Sequence, residues 1–581
     1  MRLVSNSSLL RFLYAGCLLT LIATDSFAQP TLIVHSGNIV TVNQAFSIVQ
    51  AMAIKGDLIQ AIGKNDEILK LATPNTVVMN LAGKTVIPGL CDSHVHAPDA
   101  SMYEFDHAIP EMDTVADVLK YIAARAEALA DGEWIVVKQV FITRLRDQRY
   151  PTRKELDTAA PKNPVVFSTG PDSVCNSLAL ELSGIHKDFE ITDGKAGQIL
   201  RDPQTGELSG ILRNASRFIK SKPIEKTPTP EDRQNRLKQL FADYNAVGLT
   251  SVSDRSATDE DVQAYADLKN RGELNCRVFI SYFVDASGTR QEIETAIDKA
   301  ANHPLHKYDS KLWLRGVKTF LDGGMLTGSA FMRAPWGVSK IYSINDPEYR
   351  GIRFIKQDDL VWMAKYTLER DLQFTAHSVG DGAVHALIDA YAEINRELPL
   401  RSRRPCITHS NFMSREAIEQ MKEVGIVADL QPAWLWLDGA TLLRQFGDER
   451  LTYFQPYKTL FEQGVIVGGG SDHMQRIGSM RAVNPYNPFL GMWIVLSRVP
   501  RNCEQPLHPE QILSREQALR LYTINNAWLT FEEEKKGSLE VGKLADFVVL
   551  NTDILTCPVD DVRKITVHET YLGGQKVYSK P

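Results

Sequence analysis

The sequence predicts an α/β protein: a (β/α)8 TIM barrel with an inserted subdomain, plus a small β-sandwich formed by the N- and C-terminal segments. In the middle of the chain, short apolar runs alternate with longer amphipathic stretches, which is the pattern of a parallel α/β fold. Eight of these runs are candidate barrel strands: Thr85–Ser93, Leu249–Asp254, Cys276–Phe283, Leu312–Phe320, Leu372–His377, Pro405–His409, Ile426–Gln431 and Val465–Asp472. In such a barrel the active site lies at the C-terminal ends of the strands.

The two ends of the chain predict the sandwich. Short strand-like runs separated by glycine and asparagine turns fill residues 29–84 and again residues 531–581. Between them, residues 85–530 would form the barrel domain. The connection between its first two strands is too long for one helix and contains the strand-like runs Trp134–Val140 and Pro164–Ser168. This predicts an insert at about residues 100–240.

The first 28 residues are predicted to be a signal peptide. A short basic stretch is followed by the apolar run Phe12–Ala23 and by the small-x-small site Ser26-Phe27-Ala28. The apolar run is too short to span a bilayer comfortably. We expect cleavage after Ala28, a periplasmic or secreted mature protein, and no stable membrane span. A lipoprotein-like site at Tyr14–Cys17 is the weaker alternative, since cleavage there would divide the apolar run.

Composition narrows the classes of partner. The net charge of −6 and the lack of a Lys/Arg-rich run argue against nucleic-acid binding. The seven cysteines form no Cys-x-x-Cys pair, so neither a zinc knuckle nor a disulfide scaffold is indicated. A small-molecule substrate remains the expected partner, while disulfide pairing and homo-oligomerisation stay open.

Side chains that can bind a metal lie at the C-terminal ends of several predicted strands. Strand one ends in His94 and His96, strand five in His377, strand six in His409 and strand eight in Asp472. Each alone has an ordinary explanation as a turn residue, a core histidine or a helix cap. A barrel would gather all of them in one mouth, and imidazole and carboxylate are ligands that zinc prefers. We therefore predict a divalent metal site, with zinc favoured, as one ion or two.

Lys318 lies in the fourth strand, in a run apolar enough to be buried. A buried ammonium is unfavourable unless it is paired, and a metal ion nearby would repel it. A desolvated lysine loses its proton readily, and the free amine can add carbon dioxide to give a carbamate. We predict N6-carboxylysine at Lys318, with an ion pair to Asp322 as the alternative. Further candidates for substrate contact are Gln431, Trp434, His473 and Asn176.

The chain resembles the amidohydrolase superfamily, and within it the amidohydrolase family 3 branch, which includes N-substituted formamide deformylase. The motifs that carry the resemblance are VIPGLCDSHVH (Val86–His96), NSLALELSGI (Asn176–Ile185), GLTSVSD (Gly248–Asp254), GVKTFLDGG (Gly316–Gly324), HSVGDGAV (His377–Val384), THS (Thr408–Ser410), GSD (Gly470–Asp472) and GSLEVGKLADFVVL (Gly537–Leu550). Two stretches of the predicted insert depart from the family pattern, at residues 170–177 and 210–214. These departures leave the substrate open.

The resemblance implies roles for the strand-end residues. His94, His96 and Asp472 would hold a first metal, and His377 and His409 a second. A carboxylated Lys318 would bridge the two ions, and Asp472 would also be the catalytic base.

The predicted function is hydrolysis of a non-peptide C–N bond, in an amide or an N-acyl or N-formyl compound, by a metal-activated hydroxide. Deamination of a cyclic amidine and hydrolysis of a lactone or another ester are alternatives on the same site. A binding or regulatory protein that retains the barrel is the non-enzymatic alternative.

Overall fold

The computed structural model describes residues 29–170, 172–222, 226–478 and 480–581, so the predicted signal peptide lies outside the described residues. Its largest sheet confirms the barrel, because eight strands pair in parallel, each with the next along the chain. We number these barrel strands 1 to 8: Leu90–Val95, Leu249–Ala257, Arg277–Phe283, Leu312–Phe320, Gln373–Ser378, Cys406–His409, Val427–Leu430 and Val467–Gly469.

The barrel closes between strands 8 and 1. The amide of Asp472 donates to the carbonyl of His94 (2.8 Å), and that of His96 donates to the carbonyl of His473 (2.8 Å). Gly470 makes this approach possible, because a Cβ there would lie 2.8 Å from the amide nitrogen of His94. The seam therefore brings the first and last predicted ligand segments side by side.

The first predicted strand, Thr85–Ser93, is wrong as a single element. Thr85–Pro88 pairs antiparallel with Phe547–Leu550 of the terminal sheet, and Leu90–Val95 begins the barrel. Gly89 separates them in a tight space, where a Cβ would lie 2.2 Å from the hydroxyl oxygen of Thr250. Both strands are fully buried, so their apolar residues give one uninterrupted pattern in the sequence.

Helices connect and cover the barrel strands. Those from strand 1 onward, outside the inserted sheet, are Ala97–Met102, Pro230–Ala246, Asp259–Asn270, Arg290–Ala301, Gln357–Leu368, Asp381–Asn395, Arg415–Val424, Pro432–Phe446, Tyr457–Gln463, Pro488–Ser497, Arg515–Leu521 and Ile524–Leu529. Several begin with a capping box; in Asp259–Asn270, for example, Thr258 accepts from the amide of Asp261. The helices bury apolar faces against the strands, which leaves the strand ends as the place for polar side chains.

A separate five-stranded sheet lies within residues 100–240. Its strands are Ile135–Lys138, Val165–Ser168, Ser173–Cys175, Gln198–Arg201 and Leu208–Arg213, and its helices are Val115–Ala128, Arg153–Ala159 and Ser177–Ser183. The buried side chain of Arg213 donates to the carbonyls of Thr327 (2.9 Å) and Gly328 (3.1 Å). The inserted sheet is thus anchored on the loop that follows barrel strand 4.

The chain ends form two further sheets. One contains Leu32–His35, Ala51–Lys55, Leu58–Gly63 and Val77–Asn80; the other contains Asn38–Val40, Ile48–Val49, Thr85–Pro88, Phe547–Leu550, Val567–Leu572 and Gln575–Ser579. Short helices lie beside them at Asn65–Ile68 and Val559–Val562. Met52 and Ile54 of the first sheet share an apolar core with Val86 and Phe547 of the second. This confirms a sandwich to which both termini contribute.

Two features of the described chain bear on the expectations for membranes and cysteines. None of its helices is both long and apolar enough to cross a bilayer. Six cysteines lie in the described residues, and all six are free: Cys91, Cys175, Cys276, Cys406, Cys503 and Cys557.

Candidate metal centre

Three of the predicted ligands converge at the barrel seam. Nε2 of His94 and Nε2 of His96 are 3.2 Å apart, and each lies 3.3 Å from Oδ1 of Asp472. One potential ligand atom from each of the three residues falls within 4.8 Å of the others. Two nitrogens and a carboxylate oxygen so close together, with His94 and Asp472 buried, form a donor set suited to a divalent cation.

The backbone holds this group in an unusual conformation. Asp472 follows barrel strand 8 with a φ of +56°, and His409 ends barrel strand 6 with a φ of +76°. Non-glycine residues rarely adopt positive φ, and such strained positions persist where surrounding contacts demand them. At Asp472 the contact is Asn484, whose amide donates to the Asp472 carbonyl at 2.7 Å.

His377 and His409 lie against the first group. The ring centre of His409 is 5.0 Å from that of His94 and 4.5 Å from that of His377. Burial lowers the pKa of His377 to about 3, and burial holds the pKa values of His94 and His409 well below their usual value. These three imidazoles are therefore neutral, which is the form that binds metals. At His96 burial also acts to lower the pKa, but the Asp472 carboxylate outweighs it and the pKa is raised.

Lys318 is buried, as predicted, and 1% of its surface is exposed. Burial lowers the pKa of its ammonium, although Asp472 and Asp429 oppose this. The alternative of an ion pair with Asp322 is wrong, because the Asp322 carboxylate accepts from the amides of Phe331, Val379 and Gly380. Across the described residues, Lys318 has no ion-pair partner within 4 Å, and its Nζ lies 5.2 Å from the ring centre of Phe320.

Asp429, which the sequence reasoning missed, orients His94. It lies in barrel strand 7, fully buried, with its Oδ2 3.1 Å from Nδ1 of His94. Ser93 donates to its other oxygen at 2.5 Å, and Arg255 lies 3.8 Å away. A carboxylate in the apolar run Val427–Leu430 was the available signal, because a fully buried aspartate requires a partner.

Gln431 performs the same task for His409. Its Oε1 lies 2.7 Å from Nδ1 of His409, and its amide nitrogen donates to the Asp429 carbonyl at 3.2 Å. If each Nδ1 carries the proton toward its acceptor, His94 and His409 both present Nε2 as a lone pair. Gln431 therefore contacts a predicted metal ligand, whereas the sequence predicted that it contacts the substrate.

The other predicted substrate residues are placed differently. The Trp434 ring stacks on His409 with ring centres 4.7 Å apart, so it borders the cluster. His473 uses both ring nitrogens within the fold, Nδ1 with the Tyr244 hydroxyl and Nε2 with the carbonyls of Gln475 and Arg476. It is a structural residue of the seam.

Asn176 belongs to the inserted sheet and stands apart from the cluster. Its side-chain oxygen accepts from the amides of Val165 and Ala179, and its nitrogen donates to the carbonyl of Asn163. It caps the helix Ser177–Ser183, and its hydrogen-bonding groups are used in doing so. The substrate role expected from the sequence is not supported by this placement.

A sequence profile described as the amidohydrolase family matches residues 77–578. The chain belongs to the amidohydrolase family. It is 26% identical over 565 residues to N-substituted formamide deformylase of Arthrobacter pascens, covering 94% of this chain and 98% of that protein. It is also 26% identical to Protein LONG AFTER FAR-RED 3 of Arabidopsis thaliana, covering 94% of this chain and 91% of the relative.

A solved structure has the same fold. The crystal structure of an uncharacterized metal-dependent hydrolase from Pyrococcus horikoshii OT3 superposes with a TM-score of 0.66 at 21% identity, covering 91% of this chain and 99% of the other. Family membership makes the protein a hydrolase, and this solved structure supports the barrel-and-sandwich architecture.

Proposed function

We propose that the protein is an exported, metal-dependent amidohydrolase that cleaves a non-peptide C–N bond of a small amide, such as an N-acyl or N-formyl compound. The observation that carries this proposal is the buried cluster at the mouth of the barrel. Side chains from the ends of five strands meet there, and three of them place ligand atoms within 4.8 Å. The formamide-cleaving name of one relative favours the amide among the candidate bonds.

The residues present fit a divalent metal, with zinc as the first ion to test. His94, His96 and Asp472 would hold one ion, His377 and His409 a second, and a carboxylated Lys318 would lie between them. A buried lysine with no ion-pair partner among the described residues supports that modification, since carbon dioxide converts its amine into an anion. When bound, a divalent metal supplies Lewis acidity toward a carbonyl and a water ionised near neutral pH.

The chain's own groups move the protons. Asp472 accepts a proton from the attacking water and delivers it to the leaving nitrogen as the C–N bond breaks, so the acyl carbon gains oxygen and the amine gains hydrogen. Asp429 and Gln431 hold the Nδ1 protons of His94 and His409, which keeps each Nε2 directed into the cluster. Burial of the cluster strengthens each of these electrostatic contacts.

Metal analysis and a substrate screen test the proposal. The mature protein is assayed for bound metal, stripped with a chelator, reconstituted with zinc or manganese, and offered N-formyl and N-acyl amines. We expect stoichiometric metal, loss of turnover in the stripped protein, and release of a substituted amine on reconstitution. Release of ammonia would indicate a deaminase. Protein that stays inert after reconstitution would contradict an enzymatic role.

Export is tested separately. A fusion of residues 1–28 to a reporter that is active only outside the cytoplasm should give signal, and the N-terminus of the mature protein should begin at Gln29. An uncleaved N-terminus would contradict the signal-peptide prediction.

A further inference from the structure

A large cavity lies beside the proposed metal centre, between the inserted sheet and the barrel. Its volume is about 1110 Å³, and its wall includes Phe283 and Phe320, at the ends of barrel strands 3 and 4. The Phe320 ring is 5.2 Å from that of His377 on one side and 6.0 Å from that of Phe283 on the other. The cavity therefore shares an aromatic wall with the cluster.

A second wall is joined to the strand that carries Lys318. The amide of Phe354 donates to the carbonyl of Leu321 at 2.8 Å, and Arg353 forms a β-bridge with Asp322. Both Arg353 and Phe354 line the cavity. Their partners Leu321 and Asp322 directly follow barrel strand 4. A ligand in the cavity would therefore lie beside the end of barrel strand 4, the strand that carries Lys318.

The charge of this cavity is opposite in sign to that of the chain. The chain has a net charge of −6, yet five cationic residues and only two acidic residues line the cavity. The cationic residues are Lys195, Arg217, Arg290, Arg353 and Lys356, and the acidic ones are Asp285 and Asp359.

Two of the cations are already neutralised within the fold. Arg217 lies 2.7 Å from a carboxylate oxygen of Asp193, and Arg290 lies 3.3 Å from one of Asp359. Arg353, in contrast, has no carboxylate within ion-pair distance among the described residues. Its Nη2 donates to Gln357 at 2.6 Å, while its Nε is buried without a hydrogen-bond partner in that part of the chain. The charge of Arg353 is therefore left without a counter-ion among the described residues, and an anionic ligand in the cavity would supply one.

We propose that this cavity binds a carboxylate on the substrate, with Arg353 as its main contact and Lys356 as a second cation at the rim. Phe283, Phe320 and the Trp362 ring would receive the apolar body of the same molecule. The substrate class is then an amide that carries both an apolar or aromatic group and a carboxylate. This inference deepens the proposed function and rests on it for the scissile bond.

A binding experiment tests the cavity without requiring turnover. 3-Phenylpropanoate and its neutral analogue 3-phenylpropanamide are titrated into the mature protein by isothermal calorimetry. We expect the carboxylate to bind at least about 10-fold more tightly. The Arg353→Gln variant should lose this preference, and Lys356→Gln should reduce it. Arg415→Gln, an exposed site outside the cavity, should keep it.

Three outcomes would overturn the inference, and the first two are equal binding of the two compounds by the wild type and an unchanged preference in both cavity variants. Lys356 is exposed, so its variant decides the matter if Arg353→Gln fails to fold. Loss of preference in Arg415→Gln as well would show a general charge effect and would also overturn it.

Turnover then separates the two proposals. N-Formylphenylalanine and N-formyl-2-phenylethylamine differ only in the carboxylate, and we expect the former to have a kcat/KM at least about 10-fold higher. If the metal-loaded enzyme cleaves both equally, the substrate class is wrong and the proposed function stands. If it cleaves no amide while the calorimetric preference persists, the proposed function fails and the anion-binding cavity remains.

Discussion

Buried charged side chains are paired differently at the two ends of the barrel. At the N-terminal end of strand 3, Arg277 makes bonds of 2.6 and 2.8 Å to the Asp546 carboxylate. Nearby, Lys536 lies 2.7 Å from Glu532 and 3.0 Å from the Ser251 hydroxyl. Every one of these charges has an opposite partner within the fold.

At the C-terminal end the pairing is incomplete, although Asp429 and Asp472 each contact a histidine. Lys318 has no ion-pair partner among the described residues, and the facing nitrogens of His94 and His96 are 3.2 Å apart. Nitrogens at that distance share one hydrogen bond at most, whereas a cation would satisfy both. Burial alone therefore does not mark function. A functional site is indicated instead by buried polar groups whose pairing within the fold is incomplete.

The largest effect is expected at Asp472. Asp472→Asn keeps the shape of the side chain but removes the charge that accepts the proton, so we expect kcat/KM to fall about 10³- to 10⁴-fold. Circular dichroism should show an unchanged fold. The exposed Asp131→Asn serves as the matched control and should retain full activity. An Asp472→Asn enzyme within tenfold of the wild type would mean that another group is the base.

The two buried lysines should respond in opposite ways. Lys318→Ala removes an ammonium that has no ion-pair partner in the described part of the chain, so we expect little loss of folding stability in metal-free protein. We expect a loss of bound metal and at least about a 100-fold fall in activity. Lys536→Ala leaves Glu532 buried and unpaired, which should lower the free energy of unfolding by about 3 kcal/mol with metal content unchanged.

Urea denaturation and metal analysis on both lysine variants decide this comparison. Full metal content and rate in Lys318→Ala would remove the bridging role. The carboxylation itself is read from the intact mass and from the dependence of activity on bicarbonate during reconstitution.

Asp546 tests the paired end of the barrel. Burial alone would raise the pKa of its carboxyl, but Arg277 and the amide of Gly573 outweigh this and hold the pKa below its usual value of 3.8. Asp546→Asn should therefore destabilise the fold by about 3 kcal/mol, since Arg277 is left buried without its partner.

The pH dependence has a definite sign. A carboxyl with a lowered pKa in the folded state stabilises the protein above its unfolded value, and this contribution is lost as pH falls through the folded value. Below about pH 4, the stability of the wild type should therefore decline toward that of Asp546→Asn. Parallel curves for the two proteins across the acid range would contradict the ion pair.

Much of this arrangement could be predicted from the sequence, for a physical reason. Parallel barrel strands place their C-terminal ends in one mouth, so histidines at the ends of strands 1, 5 and 6 must lie close together. The contacts of Asp429 could not be predicted in this way, because its partner His94 is 335 residues distant and only the closed barrel brings them together. The Gly89 break was hidden for a related reason, since the two strands it separates are both buried and read as one apolar run.

Asp429 is expected to show the smallest effect, because it shares one property with the paired structural charges and one with the incompletely paired groups of the site. It is partnered, like the groups at the far end, but its partner is a predicted ligand. Asp429→Asn keeps a side chain of the same shape while weakening its hold on the Nδ1 proton of His94. We expect metal affinity or kcat/KM to fall about 10- to 100-fold, the range for residues that orient metal ligands.

The measurements must distinguish a loss of ligand orientation from a loss of folding stability. Metal affinity is measured by competition with a chelator, and the unfolding free energy is measured on metal-free protein. Asp429→Asn should weaken the former more than the latter, whereas Asp546→Asn, the matched buried aspartate, should do the reverse. If both variants lose stability alike and keep their metal affinity, Asp429 is only another structural charge. Only the proposed metal ligands, and not the residues that contact them, would then differ from the structural charges at the other end of the barrel.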